Sequence, residues 1–335
     1  MDAIADPNFQ QTKLRSTATE DIPSLLTVVL DISPRLWAEF DHRSGEKQSV
    51  TTVLKSLIVF LNSHLAFNSA NQVAVIAAFS QGIQYLYPRS SDTSEQNAGN
   101  SKDLSIISSH MYRRFRNVDE TLIEEFYKLY QREESLIDKP VQKSTLSGAM
   151  AAALTYTNRL TKEFESISLR SRLLVITCGS SREKDEIFQY IPIMNCIFSA
   201  TKLKCPIDVI KIGGNKQSTF LQQTTDATNG VYIHLESTNG IIQYLSTAMS
   251  IDPSLRQIIV RPTQGSVDFR TSCYLTGKVV AIGYICSVCL CVLSIIPPGN
   301  KCPACDSQFD ERVIAKLKKK PVVPKGTLKK VKKKV

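Results

Sequence analysis

The apolar positions of this chain fall into two kinds of run that alternate. Residues 25–32 (LLTVVLDI), 72–79 (QVAVIAAF) and 172–178 (RLLVITC) are short and almost continuously apolar. Such runs read as strands buried on both faces, as in a parallel sheet. Residues 49–67 instead place Val50, Val53, Leu54, Leu57, Ile58, Leu61 and Leu65 at steps of three and four, which predicts an amphipathic helix. Gly82 turns the second strand back into a hairpin partner at 83–87. Further strands are expected at 206–212 and 231–235. Further helices are expected at 119–134, opening on acids that suit the helix dipole, and at 144–160 with Ser144 as N-cap. Others are expected near 184–203, interrupted by Pro192, and at 216–228 and 240–250.

Strand and helix alternate throughout 25–250. That predicts an α/β fold: a doubly wound, mostly parallel sheet with one antiparallel edge strand from the hairpin. The chain then divides into a flexible N-terminus at 1–21 and the α/β domain at 22–250, which carries a polar surface loop at 88–103. A connector follows at 251–266, containing Pro253 and Pro262. Residues 267–312 lack the alternation and form a small cysteine-bearing module, and 313–335 read as a basic disordered tail.

Charge sharpens this division. The chain has 41 Lys+Arg against 31 Asp+Glu, a formal net charge of +10. Ten of the lysines lie in 316–335, which contains no acid, so residues 1–315 hold 31 basic and 31 acidic side chains. A balanced body argues against direct DNA binding along the folded part. The tail reads as nuclear-targeting, as nucleic-acid-contacting or as a solvated inert end.

Nine cysteines and no secretory h-region in 1–24 favour reduced thiols and metal ligation over disulfides. Cys286-x2-Cys289 and Cys302-x2-Cys305 are separated by twelve residues, with Pro297, Pro298 and Gly299 to turn the chain between them. Each pair presents two thiolates from one turn, and together they suit one structural Zn²⁺ with no open position for catalysis. Cys291, two residues past Cys289, competes as a ligand, and Cys289 is preferred because it makes the first pair match its downstream partner. Six cysteines and no histidine in 267–312 cannot supply the eight ligands of a two-zinc RING module. One competing pattern overlaps the module: 279–296 is eighteen residues without a charge. That is close to the length of a membrane span, so a membrane-anchored protein is an alternative. Its β-branched residues and the pairing of its cysteines with two more beyond it favour the zinc reading, with no membrane.

Catalytic patterns do not assemble. Residues 213–219 (GGNKQST) miss the P-loop spacing, no G-x-S-x-G occurs, and His42, His64, His110 and His234 are scattered singly. The expectation is a protein that is not an enzyme and has no small-molecule substrate.

Ligands of open α/β sheets bind outside the carboxyl ends of the strands. There the sequence places Asp31 and Ser33, Thr145, and Cys178-Gly179-Ser180. These positions resemble the von Willebrand A-type domain and its metal-ion-dependent adhesion site, built on Asp-x-Ser-x-Ser, a Thr and an Asp. Here Arg35 replaces the second serine, and Cys178 stands where the third carboxylate would be. Mg²⁺ demands hard oxygen ligands. The degenerate site at Asp31, Ser33 and Thr145 is therefore expected to lack Mg²⁺, leaving Asp31 and Ser33 as loop-stabilising hydrogen-bonders. A Mg²⁺-dependent ligand-binding A domain using those three residues is the other alternative.

The stretch Val267-Asp268-Phe269-Arg270, then Cys273, then 282–290 (IGYICSVCL) resembles the family of smaller von Willebrand A-like, zinc-binding core subunits of general transcription factor IIH (TFIIH). The 25–33 strand and the helix containing Leu146-Ser147-Gly148-Ala149 are similar to that family as well. The resemblance implies a non-catalytic nuclear scaffold that acts by protein–protein contacts in RNA polymerase II transcription initiation and nucleotide excision repair. It implies, as principal partner, the larger von Willebrand A-like zinc-binding subunit of TFIIH, together with other core subunits including helicases. The surfaces that meet these partners stay unassigned.

Overall fold

A computed structural model describes residues 22–89, 112–134, 144–164, 169–178, 183–214, 218–253, 255–262, 267, 269–271, 273–276 and 278–318. The expected N-terminus at 1–21, nearly all of the 88–103 loop and residues 319–335 lie outside them. The chain divides into two compact units, Met1–Phe269 and Arg270–Val335.

The first unit is built on β1 (Ser24–Asp31), every residue of which is buried. It lies parallel between β2 (Gln72–Phe79) and β4 (Arg170–Cys178), with Val28 beside Val75 on one side and Leu174 on the other. β3 (Gly82–Tyr87) pairs antiparallel with β2 at one edge. β5 (Ile207–Ile212) and β6 (Tyr232–Leu235) continue the parallel set on the other side, giving the order β3-β2-β1-β4-β5-β6. This is the expected doubly wound, mostly parallel sheet with one antiparallel edge. Because successive side chains of a strand face opposite ways, Leu26, Val28 and Leu30 join one apolar cluster with Trp37, Leu57, Leu61 and Phe126. Val29 joins a second cluster with Ala149, Met150, Ala153 and Cys196. A strand buried on both faces needs no polar alternation, which is why its sequence reads as a continuous run.

The helices depart from expectation in instructive places. α1 (Pro34–Ser44) lies outside the helices expected from the sequence, although Pro34 in its first turn and Gly45 at its end are the usual punctuation. Gly45 sits at φ 72° and its N–H closes on the Asp41 carbonyl at 3.0 Å. α2 (Ser49–Phe67) is the amphipathic helix of the 49–67 pattern. It is also the one helix among the described residues long and apolar enough to cross a membrane, but Val53, Leu57 and Leu61 are buried in the first cluster. α3 (Arg113–Glu134) starts before the expected 119.

α4 (Leu146–Glu163) follows Thr145, so Ser144 is not its N-cap. The Thr145 hydroxyl does not cap the helix either, because it donates to the Phe79 carbonyl at 2.6 Å. α5 (Glu183–Leu203) runs unbroken through Pro192. A mid-helix proline costs about 3 kcal/mol. Burial of Ile193, Cys196, Ile197 and Ala200, at about 1.5–3 kcal/mol for each large side chain, exceeds that. α6 (Thr219–Ala227) and α7 (Ile241–Thr247) are shorter than expected.

The expected connector at 251–266 is not a free linker along its length. Arg256 reaches back to Asp208 on β5 with both terminal guanidinium nitrogens, Nη1 and Nη2, and the two side chains are only 5% and 2% exposed. Arg261 donates to the Asn229 carbonyl at 2.7 Å. Gly230 ends the turn before β6, where a Cβ would stand 1.8 Å from the Ile207 carbonyl oxygen; only glycine fits.

In the second unit, β7 (Tyr284–Ile285) pairs antiparallel with β8 (Val292–Leu293), and α8 (Glu311–Lys318) closes the described chain. The apolar run 279–296 is thus two short strands around a turn, which corrects the membrane-span alternative. Ile285 and Val292 sit in the strands, and its cysteines make the turn between them. α8 also carries ordered structure past the expected boundary, so a disordered tail does not begin at 313.

Candidate metal centre

Two tight turns build the centre. In the first, the Cys286 N–H donates to the Cys291 carbonyl at 3.0 Å and the Leu290 N–H to the Cys286 carbonyl at 3.0 Å. Leu290 takes the left-handed conformation at φ 62°. In the second, the Cys302 N–H donates to the Ser307 carbonyl at 2.9 Å and the Asp306 N–H to the Cys302 carbonyl at 2.9 Å, with Asp306 at φ 57°. Each turn folds its x2 spacing so that both thiols project to one side. The β7–β8 pair and the Lys301–Gln308 bridge hold the turn bases.

Between the turns, the Sγ atoms of Cys286, Cys289, Cys302 and Cys305 all lie within 4.8 Å of one another, a group that could hold a metal ion. Cys286 and Cys305 are 3.8 Å apart, and Cys289 and Cys302 3.6 Å. Four sulfurs at about 2.3 Å from a tetrahedral zinc lie about 3.8 Å from each other, so the cradle fits that ion. Cys291 also enters the group, with its Sγ 3.3 Å from that of Cys302.

The electrostatics favour a cation. Burial raises the Cys286 thiol, but N–H groups of Cys289 and Val288 and the Ser307 hydroxyl more than offset it, bringing the group down to about 6. Thiolate is the metal-binding form. Cys289 moves the other way, to about 12, through burial and hydrogen bonds involving Cys305 and Cys302. Like charges this close cannot all ionise unless a cation stands between them. A set of four thiolates around one metal leaves it no open position, so such a centre staples a fold and does not catalyse.

The second set of predicted site residues lies at the carboxyl end of the large sheet. Asp31 Oδ1 accepts hydrogen bonds from the Ser33 N–H at 3.1 Å and the Ser33 hydroxyl at 2.8 Å. Its Oδ2 accepts from the Thr177 hydroxyl at 3.1 Å. Asp31 is buried, and that desolvation holds its carboxyl above the usual range despite these donors. Thr145 turns its hydroxyl to Phe79 and makes no hydrogen bond to Asp31. Cys178 is buried and its thiol is pushed up, first by burial and then by the Asp31 charge. Arg35 is exposed. The structure thus joins Asp31 and Ser33, and adds Thr177, which sequence reasoning missed. Nothing in a strand's sequence tells which hydroxyl will face a carboxylate on the neighbouring strand. Gly179, Ser180 and 215–217 of the glycine-rich stretch lie outside the described residues.

The transcription factor Tfb4 family model matches residues 23–306. The Saccharomyces cerevisiae general transcription and DNA repair factor IIH subunit TFB4 is 69% identical, over 98% of this chain and 98% of its own length. The subunit of the same name in Schizosaccharomyces pombe is 38% identical, over 90% of this chain and 94% of its own length. Among solved structures, the crystal structure of the TFIIH p34 N-terminal domain matches 68% of this chain and 99% of its own, at 28% identity and a TM-score of 0.52.

Proposed function

The chain belongs to the transcription factor Tfb4 family, and from that premise we propose that it is a non-catalytic scaffold subunit of TFIIH in transcription and DNA repair. The observation that carries this is the 69% identity to a TFIIH subunit over 98% of both chains. The physical reading agrees. The polar groups at the carboxyl end of the sheet hydrogen-bond one another, and a four-thiol centre has no open coordination position.

The ion is one structural zinc per chain, held by Cys286, Cys289, Cys302 and Cys305. Zinc suits four thiolates at this spacing, whereas Mg²⁺ and Ca²⁺ prefer oxygen. The zinc module spans 267–312 and the A-like domain 22–250. The Asp31–Ser33–Thr145 site serves the loop and takes no Mg²⁺. The working partners are the larger von Willebrand A-like subunit of TFIIH and the other core subunits including helicases, and the place of action is the nucleus. The lysines of the basic tail at 316–334 address the chain there, contact phosphates or form an inert solvated end.

The experiment is affinity purification of the tagged full chain from nuclear extract, with its companions identified by mass spectrometry. Recovery of a helicase-containing transcription and repair complex is the expected result. Recovery of the chain alone sinks the scaffold reading.

A further inference from the structure

The two cysteine turns of the metal centre repeat each other position by position. Cys302, Cys305, Asp306 and Ser307 each lie sixteen residues after Cys286, Cys289, Leu290 and Cys291. The backbone repeats with them: first cysteine N–H to sixth-position carbonyl, fifth-position N–H to first-cysteine carbonyl, and a left-handed fifth residue in both turns. By this two-fold relation Cys291 occupies the place of Ser307.

Their side chains make equivalent contacts. The Ser307 hydroxyl lies 3.4 Å from Cys286 Sγ of the other turn and 3.0 Å from Cys305 Sγ of its own. Cys291 Sγ lies 3.3 Å from Cys302 Sγ of the other turn, and it also hydrogen-bonds Cys289 of its own. Ser307 cannot be the fifth member of a thiolate set; a hydroxyl beside two metal-binding sulfurs is a hydrogen-bond donor to them.

We propose that Cys291 is the corresponding donor on the other half of the centre: a positioning thiol whose single S–H is shared between the Cys302 and Cys289 sulfurs and which does not ligate the metal. The inference rests on the four-thiol zinc reading above. Each half of the centre then receives one side-chain donor, which orients the ligand sulfurs and spreads part of their charge. Cys291 is only 1% exposed, so no water replaces that donor when it is lost. Outer partners of this kind typically contribute about 10- to 100-fold in metal affinity.

The test uses the full chain loaded with Co²⁺, whose sulfur-to-metal charge-transfer band reports the number of thiolates, together with chelator competition for Zn²⁺ affinity. Cys291→Ser keeps a donor, as at position 307, and should retain the four-thiolate spectrum with near-native affinity. Cys291→Ala should retain the same spectrum but bind Zn²⁺ about 10- to 100-fold more weakly, and Ser307→Ala should lose a similar factor. A Cys291→Ser chain with a three-thiolate spectrum makes Cys291 a ligand and overturns the proposal. So does a Cys291→Ala chain with unchanged affinity. A native chain that takes up neither metal brings down the four-thiol reading itself, a result distinct from either.

Discussion

Arg172 Nη2 on β4 lies 3.4 Å from Nδ1 of His64 on α2, with both side chains buried in the first unit. An arginine can only donate, so Nδ1 is the acceptor and Nε2 carries the proton. Nε2 faces the Ser24 carbonyl at 3.3 Å, which fixes this neutral tautomer. Arg172 is itself held over the Phe60 ring, 6.0 Å from its centroid, and against the Met249 carbonyl.

This geometry makes His64 a source of acid sensitivity. Burial first, and then the Arg172 charge, lower its pKa from 6.5 to about 4. The unfolded chain therefore binds a proton between these values when the folded chain does not. The associated stability is fully present above pH 6.5 and is lost as pH falls toward about 4. The loss amounts to about 3 kcal/mol at 1.36 kcal/mol per unit. Urea unfolding at pH 7, 5.5 and 4 should show this component in the native chain. His64→Gln should lack it, and an equal pH slope in both chains would rule His64 out as its origin.

Asp208 and Arg256 form a buried ion pair that fastens residues 251–257 to β5. Removing one partner of such a pair strands the other charge, at about 3–5 kcal/mol. Arg256→Ala should unfold at correspondingly lower denaturant. Adding Asp208→Asn, which keeps an acceptor for the Val231 N–H, should recover part of the loss. Strictly additive costs in the double-mutant cycle would mean that the two side chains do not act as a pair.

For the metal centre, metal analysis of the native chain should give one equivalent of zinc, and Cys286→Ser and Cys302→Ser should each lose it. Protection of the 278–310 amides against hydrogen exchange should fall sharply, because so small a unit has little core beyond its metal. The Met1–Phe269 unit has its own apolar core, so protection of β1 and β4 should stay native. Full zinc content in both variants would disprove the ligand set.

Asp31 offers a contrast between a loop device and a cation site. Asp31→Ala strands the Ser33 N–H and the Ser33 and Thr177 hydroxyls. Unsatisfied donors of this kind cost about 1–3 kcal/mol each when buried, so the variant should be less stable yet recover the same TFIIH companions. Titration of the native chain with Mg²⁺ should give no binding heat. A saturable heat that Asp31→Ala abolishes would revive the Mg²⁺-dependent alternative.

A chain truncated after Lys318 keeps α8 and removes eight of the ten C-terminal lysines. Imaging should show impaired nuclear accumulation if the segment is an address, while unchanged accumulation would assign it to phosphate contact or to no role.

Local chemistry was legible in the sequence wherever neighbours in the chain are also neighbours in space. The continuous runs of β1, β2 and β4 announced strands covered on both sides, and the 49–67 periodicity announced α2. The x2 spacing marked the cysteine turns because one turn sets the separation of its own two thiols. Where the outcome depended on distant groups, reading along the chain misled. Pro192 suggests a break, but burial of Ile193, Cys196 and Ile197 keeps α5 whole. Ser144 looks like an N-cap, but Thr145 precedes the helix and its hydroxyl is drawn to Phe79.

The sequence by itself determined the α/β sheet, the cysteine pairs and the resemblance to the TFIIH subunit family, because periodicity and short spacing are properties of adjacent residues. Only the tertiary structure decided that Thr177 meets Asp31, that Arg172 fixes the His64 tautomer, and that Cys291 stands opposite Cys302 as Ser307 stands opposite Cys286. Those relationships join residues eleven to 146 positions apart. Only the packed sheet and the closed turns bring such groups within hydrogen-bonding distance, where desolvation makes their contacts matter.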